Sequence, residues 1–342
     1  MPPASVEVGE IGKASFRIDI PARHNGDLVI YCHGYGGATK FDKAKPPNDL
    51  MKAFLAAGYA VAQSGYSSAG WAVKEAVEES EALRQYFVTR HGKPKRTWVT
   101  GHSMGGTITV ATIETHPQHY SGALQMCGPT GATLNNFQRR IFDMLVVYDY
   151  YFPDMIGSPV DPVEADPEFA IRIQKEATAY PDRLEAFQKW SGLKSDLEVG
   201  RVVGFFSQIQ RELIARAGGN AFDNRNTLYE GSTDDGRLNR GVKRYAAVPK
   251  AVEYLKKYYT PTGQLKRPML SLHTVYDPLI PAWSANGYGD IARLNGSGDL
   301  YLQRFVSRNG HCAFTPEETL RAMKDLAAWQ ETGKKPEAGE QK

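Results

Sequence analysis

"TWVTGHSMGGTIT", residues Thr97–Thr109, sets a β-branched run against a small-residue helix and puts one serine, Ser103, between two glycines. Gly101, Ser103 and Gly105 spell G-x-S-x-G, the pattern of a strand that turns sharply into a helix and presents a side chain at the turn. Such a turn admits only small neighbours, and Gly101, Gly105 and Gly106 supply them. Taken alone, the stretch reads equally well as a glycine-rich turn opening an ordinary helix. It is not a phosphate-binding P-loop, because no Lys-Ser or Lys-Thr follows Gly106. The rest of the chain must decide.

On both sides of this stretch, strands alternate with helices. "DLVIYCHGYGG" (Asp27–Gly37) is a buried strand ending in a Gly-rich loop. "DLMKAFLAAG" then spaces its apolar residues as a helix does and stops at Gly58, and Tyr59–Gln63 reads as the next strand. Ala72–Gly92 is a second helix with a glycine stop, and "SGALQMCGPTG" (Ser121–Gly131) a further strand. Short strand–helix connections of this kind predict a mostly parallel sheet covered by helices on both faces. From about Ala132 to Lys266 the rhythm changes to long helical patterns. Strands resume in "RPMLSLHTVYD" and "DLYLQRFVSRNGHC", followed by a helix with Thr315 at its N-cap. The expected organisation is a core of residues 1–131 and 267–342 with a helical insertion at 132–266.

The bulk composition narrows the function classes. Of 342 residues, 42% are hydrophobic and 23% charged, as in ordinary globular domains. The net charge of +3 is spread without a basic tract, so nucleic acid is not an expected partner. No apolar run approaches the roughly 20 residues of a membrane-spanning helix, and no membrane partner is expected. "MPPASVEVGE" has neither the basic nor the apolar part of a secretory signal; the expected location is the cytoplasm, with a mature secreted form as the alternative. No His-x-x-x-His or paired-cysteine spacing suggests a metal, and no cofactor is expected.

A serine becomes a useful nucleophile when a base takes its proton and an acid orients that base. Downstream of Ser103 the sequence offers both, in the order acid then histidine. Asp277 stands just beyond an apolar strand in "SLHTVYDPLIP", and His311 stands in the loop after the last strand in "SRNGHCAF". Catalytic groups of parallel sheets sit at such carboxyl ends. Asp290 and Asp299 are rivals for the acid, but neither directly follows a strand. Upstream, "HGYGG" (His33–Gly37) ends a strand and is placed to supply backbone N–H donors to a developing oxyanion. The expected donors are the amides of Tyr35 and of Met104, the residue after the serine.

In combination these motifs, over about Asp27–Gly131 and Arg267–Trp329, resemble the α/β-hydrolase fold enzymes. The resemblance implies a serine hydrolase with Ser103 as nucleophile, Asp277 as acid and His311 as base. Esterase-like and prolyl-oligopeptidase-like hydrolases are the nearest in character. The expected activity is cleavage of a small carboxylic ester, with an aryl, hydroxycinnamoyl or short-to-medium acyl group, through an acyl-enzyme. A peptidase or amidase on the same triad is the alternative, and a non-catalytic binding protein of this fold a further one.

The insertion leaves and rejoins the sheet at its catalytic edge, which predicts a cap that shapes specificity. Gly34, Tyr66, Ser67, Trp71 and Tyr148 are the expected substrate-binding residues, although most aromatics of "VVYDYYF" at helical spacing suit the insertion's own core. Cys312 follows His311 as in tannase and feruloyl esterase relatives, where a bridge ties the histidine's neighbour to the nucleophile's neighbour. Here that neighbour is His102, so this bridge cannot form. A Cys127–Cys312 pair is the alternative to the expected buried free thiols.

Overall fold

The computed structural model describes residues 5–131 and 133–341. They form two compact units, one made of the chain up to Gly131 together with the stretch from Pro261 onward, the other of Ala132–Thr260.

The first unit opens with a hairpin absent from the sequence reading. β1 (Ser5–Ile11) and β2 (Ala14–Ile20) pair antiparallel, Ile11 facing Ala14, through a turn in which Gly12 takes a left-handed φ of 62°. β3 (Asp27–Cys32) follows, then α1 (Asp49–Ala56), whose N-cap Asn48 accepts the Met51 N–H. Met51, Phe54 and Leu55 are the buried stripe of α1, at the i, i+3, i+4 spacing the sequence shows. β4 (Ala60–Ser64), α2 (Val73–His91), β5 (Arg96–His102), α3 (Met104–Thr115) and β6 (Gly122–Met126) complete the alternation.

The second unit is helical: α4 (Thr133–Phe137), a π-helical turn (Gln138–Phe142), α5 (Asp143–Tyr151), the short strands β7 (Gly157–Ser158) and β8 (Asp161–Pro162), then α6 (Phe169–Thr178), α7 (Pro181–Ser191), α8 (Asp196–Ala217), α9 (Asp235–Gly241) and α10 (Pro249–Lys257). Gly200 lets α8 run directly under α6, since a Cβ there would meet the Ala170 carbonyl at 2.5 Å. Burial pushes the Asp143 carboxyl up to about 7, against the opposing effect of the Tyr229 hydroxyl, which donates to it at 2.9 Å.

The chain returns to the first unit at Pro261, ahead of the expected Arg267. Glu114 of α3 is the reason: its carboxylate accepts from the Thr262 and Gly263 amides and the Tyr288 hydroxyl, fixing the return before any strand begins. Then come β9 (Met269–Tyr276), α11 (Ala282–Leu294), β10 (Tyr301–Asn309), α12 (Pro316–Thr332) and β11 (Gly339–Glu340). The sheet has nine strands in the order β1-β2-β4-β3-β5-β6-β9-β10-β11. β1, β2 and β4 pair antiparallel, and every pair from β4–β3 to β10–β11 is parallel. The carboxyl ends of β3, β4, β5, β6, β9 and β10 therefore share one edge, and the connections leaving that edge carry His33–Gly37, Ser103, Asp277 and His311.

Candidate active site

Ser103 sits at the turn between β5 and α3 with φ 56° and ψ −124°, a backbone region that costs a non-glycine residue on the order of 1–3 kcal/mol. Its surroundings hold it there. The Ser103 N–H donates to the Met126 carbonyl of β6 at 3.0 Å, and the Ser103 carbonyl accepts the Gly106 N–H at 2.8 Å. The glycines are required by close backbone approach. A Cβ on Gly101 would lie 2.4 Å from the Cys32 carbonyl, and one on Gly105 2.0 Å from that same oxygen.

The His33–Gly37 loop, leaving β3 next door, packs its Gly34 against the serine: a Cβ there would be 3.4 Å from Ser103 Cβ. The loop is braced from β4's side by a Gly36–Gly70 bridge, with the Gly70 N–H donating to the Gly36 carbonyl at 2.9 Å. Met104 opens α3, so its N–H has no acceptor within the helix.

Asp277 and His311 come together although 34 residues apart: His311 Nδ1 lies 2.7 Å from Asp277 Oδ2. Asp277 follows β9 and is buried, 3% exposed. Its other oxygen, Oδ1, accepts the amides of Leu279 and Ile280 at 2.8 and 2.9 Å, so the turn holds the carboxylate in one orientation. Burial works to raise its pKa. The hydrogen bond and charge of His311, the Ile280 amide and His273 outweigh burial and hold the carboxyl below its ordinary value. Asp290, its sequence rival, is exposed and ion-paired to Arg293.

The histidine loop is equally fixed. Gly310, at φ 120°, donates its N–H to the Tyr276 carbonyl and accepts from the Thr274 hydroxyl, both at 2.8 Å. Arg308 holds the far side, donating to the Ala313 carbonyl and pairing with Glu318 through both terminal nitrogens. Thr315 and Glu318 form the capping box of α12 that the sequence announces.

Cys127 and Cys312 are joined in a disulfide, which corrects the expectation of free thiols. The reason is sheet order. β9 lies between β6 and β10, so the residues just past β6 and just past β10 meet over the end of β9, with Cα atoms 5.4 Å apart. Cys32 alone remains a free, buried thiol. His311 Nε2 lies 3.4 Å from Cys312 Sγ, and no hydrogen bond joins it to Ser103 Oγ among the described residues.

The expected pocket residues fare differently. Gly34 is at the serine. Ser67 is exposed, its amide donating to Glu79. Tyr66 and Trp71 are buried, 2% and 5% exposed. Tyr66 instead supports the His33 loop, its ring stacked 3.9 Å from the His33 ring and its hydroxyl donating to the His33 carbonyl at 3.4 Å. Tyr148 is likewise a core residue of the helical unit, stacked on Phe152 at 4.9 Å and edge-on to Phe187 at 5.3 Å. Large rings at helical spacing fill the interior of their own unit before they line anything else.

Two histidines around the site were given no role there by the sequence reading. His102, next to the serine, shares a 3.3 Å hydrogen bond with the Tyr31 hydroxyl through Nδ1, and burial pushes its pKa down to about 4, with His311 adding to the effect. His273, buried on β9, places Nε2 2.8 Å from the Ile280 carbonyl and 4.0 Å from Asp277 Oδ2. Burial lowers its pKa too, against the pull of Asp277. Its only sequence signal is its place four residues before Asp277 at the end of an apolar strand. Among the described residues no cluster of three or more His, Cys, Asp or Glu could hold a metal ion, and no helix is long and apolar enough to cross a membrane.

No family model matches the chain. A 74-residue stretch, 22% of this chain, is 36% identical to the o-phthalyl amidase of Xanthobacter agilis, and the match spans only 16% of that enzyme's length. Among solved structures, the chain is similar to an esterase of Pyrococcus furiosus, with a TM-score of 0.51 and 14% identity over 95% of this chain and 92% of the esterase. It is also similar to a prolyl endopeptidase, with a TM-score of 0.52 and 12% identity over 96% of this chain and 39% of that one. The serine turn after β5, the acid turn after β9 and the histidine loop after β10, on a largely parallel sheet shared with these enzymes, give one conclusion: the chain has the α/β-hydrolase fold.

Proposed function

We propose that the protein is a serine hydrolase that cleaves small carboxylic esters through an acyl-enzyme. The observation that carries this reading is the 2.7 Å contact between His311 Nδ1 and Asp277 Oδ2, on a fold that sets Ser103 on a strained turn at the same sheet edge. His311 Nε2 takes the Ser103 proton as the serine attacks the ester carbonyl. The Tyr35 and Met104 amides receive the oxyanion, His311 passes the proton to the leaving alcohol, and water releases the acid by the reverse path. Asp277 keeps the imidazole in the tautomer whose Nε2 is free to act as base. The open Ser103–His311 gap fits the resting enzyme, in which such bonds are commonly loose before substrate arrives.

Amide cleavage is the second reading, favoured by the stretch shared with the amidase. Kinetics of the wild type and Ser103→Ala on aliphatic, aryl and hydroxycinnamoyl esters, phthalamates and aminoacyl anilides separate the two. Ester turnover above amide turnover, lost in Ser103→Ala, is the expected result. Amide turnover far above ester turnover establishes the second reading. Failure of Ser103 to label with a fluorophosphonate overturns both.

A further inference from the structure

We infer that His273 is a positioning residue for the acid, holding the 277–280 turn so that Asp277 faces His311. This rests on the triad reading above. Within the turn, the amides of Leu279 and Ile280 both donate to Asp277 Oδ1. That tether fixes the carboxylate relative to the turn but not the turn relative to the sheet. His273 supplies a link from the turn to the sheet. It is 3% exposed on β9, the strand that carries Asp277, and its Nε2 lies 2.8 Å from the carbonyl of Ile280, the residue whose amide grips Asp277. Nε2 is therefore the protonated nitrogen and donates to Ile280, since a carbonyl can only accept. Nδ1 is buried and has no hydrogen-bond partner among the described residues. A bare buried nitrogen is costly, on the order of 1–3 kcal/mol, which an imidazole retained only for packing does not need to bear.

The same N–H places its positive end 4.0 Å from Asp277 Oδ2, the oxygen that holds His311. The titratable groups facing the ring are Asp277 and His311. His273 thus orders the path β9 → Ile280 → Asp277 → His311 without touching substrate.

The test compares His273→Gln, whose amide N–H can reach the Ile280 carbonyl, with His273→Phe, which fills the space and donates nothing. Both are read by melting temperature, by kcat and KM on the wild type's best ester or amide, and by the low-field proton NMR signal of the His311 Nδ1–H···Asp277 bond. The expected result is a fall in kcat of roughly 10- to 100-fold in the Phe variant with KM changed less than about twofold, as for other groups that orient a reacting side chain. The low-field signal is weakened or lost in the Phe variant, and the Gln variant recovers most of both. Unchanged kcat and signal in the Phe variant, or equal losses in Phe and Gln that track melting temperature, overturn the inference. A wild type that shows the low-field signal but neither turnover nor Ser103 labelling overturns the triad reading instead, while the NMR comparison still decides the role of His273.

Discussion

Replacing Asp277 by Asn tests the acid with the least change of shape. Asp277 Oδ1 accepts two backbone amides at 2.8 and 2.9 Å, so an asparagine must put its carbonyl oxygen there; its NH2 would otherwise face two donors. That choice forces the NH2 into the Oδ2 position, 2.7 Å from His311 Nδ1. His311 must then accept at Nδ1 and carry its proton on Nε2, where it can no longer remove a proton from Ser103. The wrong tautomer in a triad of this type costs about 10⁴ in kcat, or roughly 5–6 kcal/mol of transition-state stabilisation. Asp277 is buried, 3% exposed, so KM should stay within a few-fold. Stopped-flow hydrolysis of the best substrate, together with the rate of fluorophosphonate labelling at Ser103, measures the loss, and circular dichroism confirms that the variant is folded. A fall of less than about tenfold in a folded variant would refute this placement of the acid.

Other perturbations give equally definite outcomes. Gly105→Ala drives a methyl group to 2.0 Å from the Cys32 carbonyl, a backbone atom that cannot move aside, and should cost several kcal/mol in urea unfolding or abolish soluble protein; unaltered stability would show that the turn is not packed as described. Asp143, raised by burial to about 7, binds its proton more tightly folded than unfolded, so its contribution weakens the helical unit as pH rises from about 4 to about 7. Asp143→Asn should therefore gain about 2–3 kcal/mol relative to the wild type between pH 5 and pH 8, and parallel stability curves would count against the buried acid. Replacing Cys127 and Cys312 together by serine removes the Cys127–Cys312 cross-link and should lower stability by about 2–4 kcal/mol in calorimetry, whereas a melting temperature unaffected by thiol reagents would mean that the bridge does not hold the fold.

How much of this was legible in the chain follows from how local each feature is. The turn at Ser103 is visible because its constraint is local: glycines within two residues admit the Cys32 carbonyl, and the neighbouring β-branched run and small-residue helix are contiguous. The α12 cap at Thr315 is readable for the same reason. Asp277 and His311 are suggested by their positions after apolar strands, but that the two meet depends on β9 and β10 being neighbours, which sequence separation does not state. Features set by the sheet as a whole are the ones missed. Cys127 and Cys312 meet only because β9 threads between β6 and β10. Tyr66 looks like a loop aromatic until the His33 ring is seen stacked on it. The β1–β2 hairpin has a signal, alternating valines and isoleucines about Gly12–Lys13, but its polar composition masks it. The return of the chain at Pro261 is set by Glu114, a partner some 148 residues away.

The disulfide spans the end of β9 and lands on the residue beside His311, so thiol chemistry and the histidine proposed as base share one loop. Reduction of the bridge would add a pair of hydrogens, so the bridged and reduced forms are separable by mass. Any measurement made with a thiol in the buffer should therefore be recorded together with the oxidation state of the bridge, read by mass.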